Sequence, residues 1–423
     1  MPPESSPGAA PRGQDDARMS HQARVLDLDG RDALPAEMRA IGVPPAAVEA
    51  LADRARPRVV RLEGVDGRAA ALLRQEMLAL GGECAIHRHV AAFDDTPRPV
   101  VLLGDAHTLG RLSERLAGGP FGLKEIGREV TAAVEGFDAD VREPLRCAGR
   151  ELPLGERTLV IGIINVTPDS FSGDGLGADA DGAVEQAAAF VAAGADILDV
   201  GGESTRPGSE AVDLEEELDR TLPVVEALAG LDAVVSIDTS KPEVARLAVA
   251  AGAGMINDVL GLRAEGMIEA VAETGAVACI MHMRGEPRTM QQAPHYDDLM
   301  TEVYGFLAER VEAAVAGGVE RDRLVIDPGF GFGKTVAHNL EILRRLRELR
   351  SLGLGVVVGT SRKSTIGTVL GGVPAGERLM GTAATCALAI ANGADIVRVH
   401  DVAAMAQVAR MTDAIMGAWR DEP

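Results

Sequence analysis

The chain is poor in aromatic residues and in lysine, and it has no long apolar run. Aromatics make up 3% of its 423 residues, so Leu, Val, Ile and Ala must fill any core, and a hydrophobic share of 46% is ample for one. Cysteine occurs four times, at Cys84, Cys147, Cys279 and Cys386, scattered without metal-ligand spacing. That pattern points to isolated thiols in a reducing cytoplasm, not to a disulfide framework or a zinc site. No stretch approaches the roughly 20 apolar residues of a membrane span, and the opening MPPESSPGAAPRGQDD has no hydrophobic signal core. Acidic residues number 64 against 42 basic ones, a formal charge of −22. This argues against nucleic acid and anionic membranes as partners. An anionic substrate would have to be drawn by a local positive site.

Only four of the 42 basic residues are lysines: Lys124, Lys241, Lys334 and Lys363. The last three fall in polar, turn-forming motifs. An ammonium is a compact point charge that the Arg fork does not replace. Lys363, flanked by Ser361, Arg362 and Ser364 after an apolar run, is the strongest of the set. For Lys241 and Lys334 chance placement is a live alternative.

Composition and periodicity divide the chain into three parts. Residues 1–23 are rich in Pro, Gly, Ser and Asp and read as a disordered tail. Residues 24–140 read as a small α/β domain, with strands near 59–62, 85–90 and 100–103 and helices near 68–80 and 108–116. It carries no catalytic motif. His87 and His89 would share one face of a strand, where a half-exposed strand is a plainer reading than a metal pair. A short connection near 138–150 leads to residues 151–423. There, apolar runs end at Ile164, Val200, Ile237, Ile256, Met281, Ile326, Val358 and Val399. Helical stretches alternate with them, over 180–193, 214–228, 242–251, 264–274, 299–316, 336–349, 376–391 and 402–416. Strict alternation implies a parallel sheet. Eight such units fit a closed (β/α)₈ TIM barrel, with an open doubly wound sheet as the rival arrangement.

Every one of these runs is followed by polar residues. The first gives Asn165 and the second GGESTRPGS; the third gives Asp238 and the fourth Asn257 and Asp258. The fifth gives His282, the sixth Asp327 in DPGFGFGK, the seventh GTSRKS and the eighth Arg398, His400 and Asp401. In a barrel that rim is the catalytic face. Asp238, Asn257 and Asp327 could satisfy the donor–acceptor edge of a planar heterocycle, and Arg398 could stack on its face. Asn165 and His400 come from the first and last strands, which become neighbours on closure. Beside Arg398 they suit a phosphate oxygen or a hydrated Mg²⁺. GFGFGK lacks phosphate-loop spacing and reads as a tight turn after Asp327.

The segments GIINVTPDSFS, DVGGESTRPGS, SIDTSKP, INDV, MHMRGEPRTMQ, IDPGFGFGKT, GTSRKSTIG and RVHDV, in this order over residues 157–420, resemble dihydropteroate synthase. The resemblance implies condensation of a dihydropterin-6-ylmethyl diphosphate with 4-aminobenzoate, with Mg²⁺ as cofactor and small molecules as the only substrates. It implies that Asn165 touches the metal–diphosphate and that Arg398 and His400 hold the diphosphate. The pterin would be bound by Asp238, Asn257, Asp327, Lys363 and Arg398 and lined by Met281 and Phe332. Thr205, Arg206, Pro207 and Ser361 would form the aminobenzoate site. Asp238, Lys363, Arg398 and His400 would be the catalytic set, Asp258 would support the site, and the loops 165–179 and 201–213 would close over it. The family's barrels commonly pair, so a cytoplasmic homodimer is expected. One departure is SFSGDGLGAD, where the family more often has SFSDGG; it leaves the place of Asp174 open. The N-terminal domain is an addition that the resemblance does not explain, and packing on the barrel or supporting assembly is the expected role. The nearest rivals are a methyltetrahydrofolate-dependent methyltransferase and a non-catalytic pterin-binding homologue. Only a synthase needs aminobenzoate in order to release diphosphate.

Overall fold

The computed structural model describes residues 24, 26, 33–92, 94–139, 142–166, 180–204, 212–286 and 289–418. The expected tail, most of the loops after the first two barrel strands, and Thr205, Arg206, Pro207 and Asp174 lie outside the described residues.

The N-terminal part begins with α1 (Ala33–Ala40) and α2 (Pro45–Arg54). Then come β1 (Pro57–Val65), α3 (Gly67–Ala79), β2 (Glu83–Ala85), β3 (Arg98–Asp105), α4 (Ala106–Leu116) and α5 (Leu123–Asp138). Its three strands pair antiparallel in the order β1-β3-β2. Asp66 and Asp105 cap α3 and α4, accepting from the backbone N–H of Arg68 and Thr108. Leu62, Leu73, Met77, Leu102, Leu109, Leu112 and Val130 close over one another in a separate small core. The expected strand over 85–90 stops at Ala85, and Arg88–Ala92 is a short 3₁₀ turn. His87 and His89 therefore do not share a strand face; their rings meet edge to face with centroids 4.7 Å apart. Among the described residues no His, Cys, Asp and Glu cluster could hold a metal.

This domain docks on the barrel through α5. Gly136 lies so close to the backbone of Arg350 and Gly353 that a Cβ would come within 2.8 Å of the Arg350 carbonyl oxygen. The Phe137 ring is flanked by the guanidinium groups of Arg58 and Arg347, at 5.2 and 5.1 Å. Arg61 of β1 reaches Asp298 at 3.3 Å.

The expected connection near 138–150 is a hairpin, β4 (Arg142–Cys147) and β5 (Arg150–Leu154), turned at Ala148 and Gly149, both with positive φ. Its Leu145, Cys147, Leu152 and Leu154 pack against Leu159, Ile197, Val234, Met255, Val277, Val325, Val357 and Ile396, the first inward-facing layer of the barrel. The hairpin thus plugs the N-terminal end of the barrel. Arg142 seals it with a buried ion pair to Asp395 at 2.7 Å.

The barrel strands are β6 (Leu159–Asn165), β7 (Ile197–Gly201), β8 (Val234–Asp238), β9 (Met255–Asp258), β10 (Val277–Met281), β11 (Leu324–Asp327), β12 (Gly355–Val358) and β13 (Ile396–Val399). All are parallel and they form a closed ring, β13 pairing with β6 through Val399 opposite Gly162. The rival open sheet is set aside. The surrounding helices are α6 (Ala180–Ala193), α7 (Leu214–Leu228), α8 (Pro242–Ala250), α9 (Met267–Thr274), α10 (Leu299–Ala316), α11 (Val336–Arg345), α12 (Ser364–Val369), α13 (Leu379–Ala391) and α14 (Val402–Asp413). Strands buried on both faces need continuous apolar runs, which is why Val, Ile and Leu dominate them. Side chains such as Ile164, Leu198 and Ile237 fill the layer between strands and helices. The fold is a (β/α)₈ barrel with a small α/β domain before it.

Candidate active site

Arg398 on β13 organises the rim from inside the barrel. Its Nε donates to Asp199 Oδ2 at 2.6 Å and its Nη2 to Asp238 Oδ2 at 2.8 Å. Asn257 Nδ2 donates to the same Asp199 oxygen at 3.1 Å. Residues from β7, β8, β9 and β13 are thus tied together. Burial alone would lower the Arg398 pKa, but the two carboxylates outweigh it and hold the guanidinium above its usual value. Burial pushes the Asp238 carboxyl up; Arg398 opposes the rise and the like charge of Asp199 adds to it.

Asp199 was not among the expected site residues. It is fully buried, and its Oδ1 has no hydrogen-bond partner among the described residues. The signal was legible: a carboxylate in the middle of the apolar run ILDV must be paired to be tolerated there.

A second group surrounds Lys363. Asp327 ends β11, and its Oδ1 accepts the Gly329 N–H at 2.6 Å. Burial raises its pKa, against the attraction of Lys363. Burial lowers Lys363 to about 8, with Asp327 opposing. The Lys363 ammonium donates to the Phe330 carbonyl and lies 4.5 Å from the centre of the Phe332 ring. Gly331 sits at φ +88°, a conformation strained for any L side chain, and a Cβ there would crowd Lys363 Cδ at 3.0 Å. Met281, Met283, Met290 and Val259 form an apolar cluster on which Phe332 packs. Asp327 and Lys363 therefore form a polar edge, near Arg398 and Asp238, beside an apolar wall.

A third group joins the last two loops. Ser361 Oγ lies 3.0 Å from His400 Nδ1 and accepts the His400 N–H at 3.2 Å. Arg362 and Asp401 form an adjacent ion pair. Asn165 and Asp238 both flank Gly201, where a Cβ would lie 3.9 Å from Asn165 Oδ1 and from Asp238 Oδ2. Asp258 turns away from this space: its two oxygens accept the N–H groups of Leu260 and Leu262, each at 2.8 Å. The lysines left open by the sequence are both engaged. Lys241 pairs with Glu203 at 2.5 Å and with buried Glu217. Lys334 is buried beneath the loop after β11. A cleft of about 290 Å³ beside Arg146 and Arg323 lies at the opposite end of the barrel and touches none of these groups.

Asn165 offers a hard neutral oxygen donor at the rim, and no carboxylate or histidine cluster accompanies it among the described residues. That donor fits a Mg²⁺ carried mainly by substrate oxygens and water.

Fold and site together define a barrel enzyme whose rim suits a planar heterocycle joined to an anionic group. Comparison with known proteins makes this specific. Residues 161–400 match the pterin binding enzyme family. The chain is 50% identical over 268 residues to dihydropteroate synthase of Synechocystis, covering 63% of this chain and 92% of that protein. Yersinia pestis dihydropteroate synthase, solved with a sulfonamide drug complex, superposes with a TM-score of 0.63 at 46% identity, over 64% of this chain and 98% of that one. A probable bifunctional folylpolyglutamate synthase/dihydropteroate synthase of Halobacterium salinarum is 40% identical over 393 residues, 92% of this chain and 46% of that protein. An alignment of that length is longer than the barrel and takes in the N-terminal sheet domain. The chain belongs to the dihydropteroate synthase family, transferases of folate biosynthesis. The methyltransferase and non-catalytic alternatives are set aside.

Proposed function

We propose that the rim joins a (7,8-dihydropterin-6-yl)methyl diphosphate to 4-aminobenzoate, giving 7,8-dihydropteroate and diphosphate. One observation carries this reading: Arg398 is braced by Asp199 and Asp238, Asn257 shares the Asp199 oxygen, and the charges of Asp327 and Lys363 lie close enough to act on the Arg398 guanidinium. A donor–acceptor surface for a flat ring thus adjoins cationic groups suited to a leaving diphosphate.

In this reading Asp238, Asn257, Asp327 and Lys363 bind the pterin edge, Met281 and Phe332 line its face, and Arg398 covers it. Asn165, Arg398 and His400 hold the diphosphate. Mg²⁺, placed at Asn165, would neutralise charge on that leaving group. The methylene carbon–oxygen bond breaks toward the diphosphate while the electron-rich pterin spreads the positive charge, with Asp238 positioned to stabilise it. The aminobenzoate nitrogen, already neutral at pH 7, forms the new carbon–nitrogen bond and then gives up a proton to solvent. No strong base is required. Ser361, with Thr205, Arg206 and Pro207, would orient the aminobenzoate, and closure of the loops around 165–179 and 201–213 would exclude water.

A homodimer in a reducing cytoplasm is the proposed setting. All four cysteines are free and buried. The face made by α12, α13 and α14 leaves Val369, Leu370, Met380, Leu388, Met411 and Ile415 exposed, an apolar surface of the kind that marks a partner site. No helix among the described residues is long and apolar enough to cross a membrane.

Mass-spectrometric detection of dihydropteroate from the two substrates tests the reading. Product with the natural chain and at least about a hundredfold less with Arg398→Ala is expected, as for the loss of a group stabilising the transition state. Equal product from both would contradict it.

A further inference from the structure

The loop after β11 has an unusual carbonyl inventory. Gly329 O and Phe332 O each accept from Lys334 Nζ at 3.0 Å. Phe330 O accepts from Lys363, Gly331 O from Gln291 Nε2 at 2.5 Å, and Gly333 O from Tyr296 Oη at 2.9 Å. Five consecutive carbonyls, 329 to 333, are all taken by side-chain donors. Lys334 supplies two of those bonds, and its Nζ also lies 2.8 Å from His282 Nδ1. The His282 carbonyl oxygen lies 3.5 Å from the same Nζ, so four polar atoms surround one buried nitrogen, whose pKa burial pushes well down.

The Lys334 side chain is buried, and His282 beside it is wedged edge to face against Phe306 at 4.9 Å. The loop also lies tight on the segment that follows β10. A Cβ on Gly329, at φ +66°, would fall 1.8 Å from the His282 carbonyl oxygen. The loop is thus pressed onto residues 282–284 and cannot be re-seated by small shifts.

We propose that Lys334 is a positioning residue: it locks the loop after β11 onto the loop after β10, and so fixes the Phe330 carbonyl and the Phe332 ring that hold Lys363 in place for the pterin. The inference rests on the reading of Lys363 and Phe332 as pterin contacts. His282 Nδ1 is the ring partner of Lys334 Nζ, and burial, with Lys334 adding to it, pushes the imidazole pKa down and keeps the ring neutral. Two lysines divide the loop between them: Lys363 grips it from the substrate side and Lys334 from beneath.

Steady-state kinetics of Lys334→Met, with equilibrium binding of a pterin lacking the diphosphate, tests the inference. The KM for the dihydropterin diphosphate and the Kd of the pterin should rise at least about tenfold, as when buried carbonyls lose their hydrogen-bond partner, while the KM for 4-aminobenzoate stays within about twofold. Lys334→Ala should regain pterin affinity on addition of propylamine. If Lys334→Met does not fold, His282→Leu and His282→Gln replace it; Leu should weaken pterin binding and Gln, which keeps a hydrogen-bonding group, should restore most of it. Unchanged pterin binding in the folded variant, or an equal rise in both KM values, would overturn the proposal. Lys363→Ala is measured alongside. If that variant also binds pterin normally, the reading of the site has failed; if it loses pterin while Lys334→Met does not, only the role of Lys334 has failed.

Discussion

Arg362 and Asp401 meet as two parallel contacts, Nε to Oδ2 at 3.0 Å and Nη2 to Oδ1 at 2.7 Å, between the loop after β12 and the loop after β13. Arg362 holds a left-handed backbone, φ 58°, which costs a non-glycine residue roughly 1–2 kcal/mol. Thr382 Oγ1 accepts its N–H and Arg378 donates to its carbonyl. The turn is over-determined, and it sets Ser361 and Lys363 on either side of it.

Arg362→Lys keeps the charge and loses the fork. We expect kcat/KM for both substrates to fall by about tenfold, because a two-pronged contact becomes a point contact. Circular dichroism should be unchanged. Full activity would show that the clamp is dispensable.

Lys363 provides a pH test. Burial lowers it to about 8, so its ammonium is present below that pH and is lost as pH rises through it. The value of kcat/KM for the dihydropterin diphosphate, which reports the free enzyme, should decline above about pH 8. Lys363→Arg, which does not titrate in this range, should lower activity and abolish that limb. A limb that persists in this variant would assign it to another group.

The hairpin plug offers a contrast at the other end of the barrel. Arg142 and Asp395 are almost wholly buried, and Asp395 Oδ2 also accepts the Val356 N–H at 2.8 Å. Arg142→Met leaves a buried carboxylate without its partner, which should cost about 3–5 kcal/mol in urea unfolding. KM values should not move, since the hairpin lies far from the rim. Replacing both partners, Arg142→Met with Asp395→Asn, should recover part of the loss.

The exposed face of α12, α13 and α14 predicts assembly. Met380→Asp with Leu388→Asp places charge on two of its exposed apolar positions. Light scattering should show a dimer for the natural chain and a monomer for the variant. A natural chain that is already monomeric would remove this face as a pairing surface.

The barrel was legible because its strands are buried on both faces and read as unbroken apolar runs; all eight ends fall where expected or within a residue or two. The N-terminal part was harder. Helix α5 has Leu123, Ile126, Val130 and Val134 on one face, a helical spacing with no capping residue before it, since its N-cap is Gly122. The hairpin was hidden because its turn is Ala148-Gly149, and an alanine at positive φ is not a usual turn marker. In the site, Asp238, Asn257, Arg398, Lys363, Asp327, Ser361 and His400 could be named from strand ends alone. Asp199 lies one layer below the rim: the run ILDV marks it as a carboxylate that needs a partner, but that partner, Arg398, is 199 positions away in sequence. Lys334 was visible only as a rare residue; its partners are set by how two loops stack.

The most direct test of the central claim is diphosphate release from the dihydropterin diphosphate and Mg²⁺, measured with and without 4-aminobenzoate. The account predicts release that depends on aminobenzoate, with dihydropteroate formed in equal amount and both lost in Lys363→Ala. Release without aminobenzoate at the same rate, or tight pterin binding with no turnover, would contradict it.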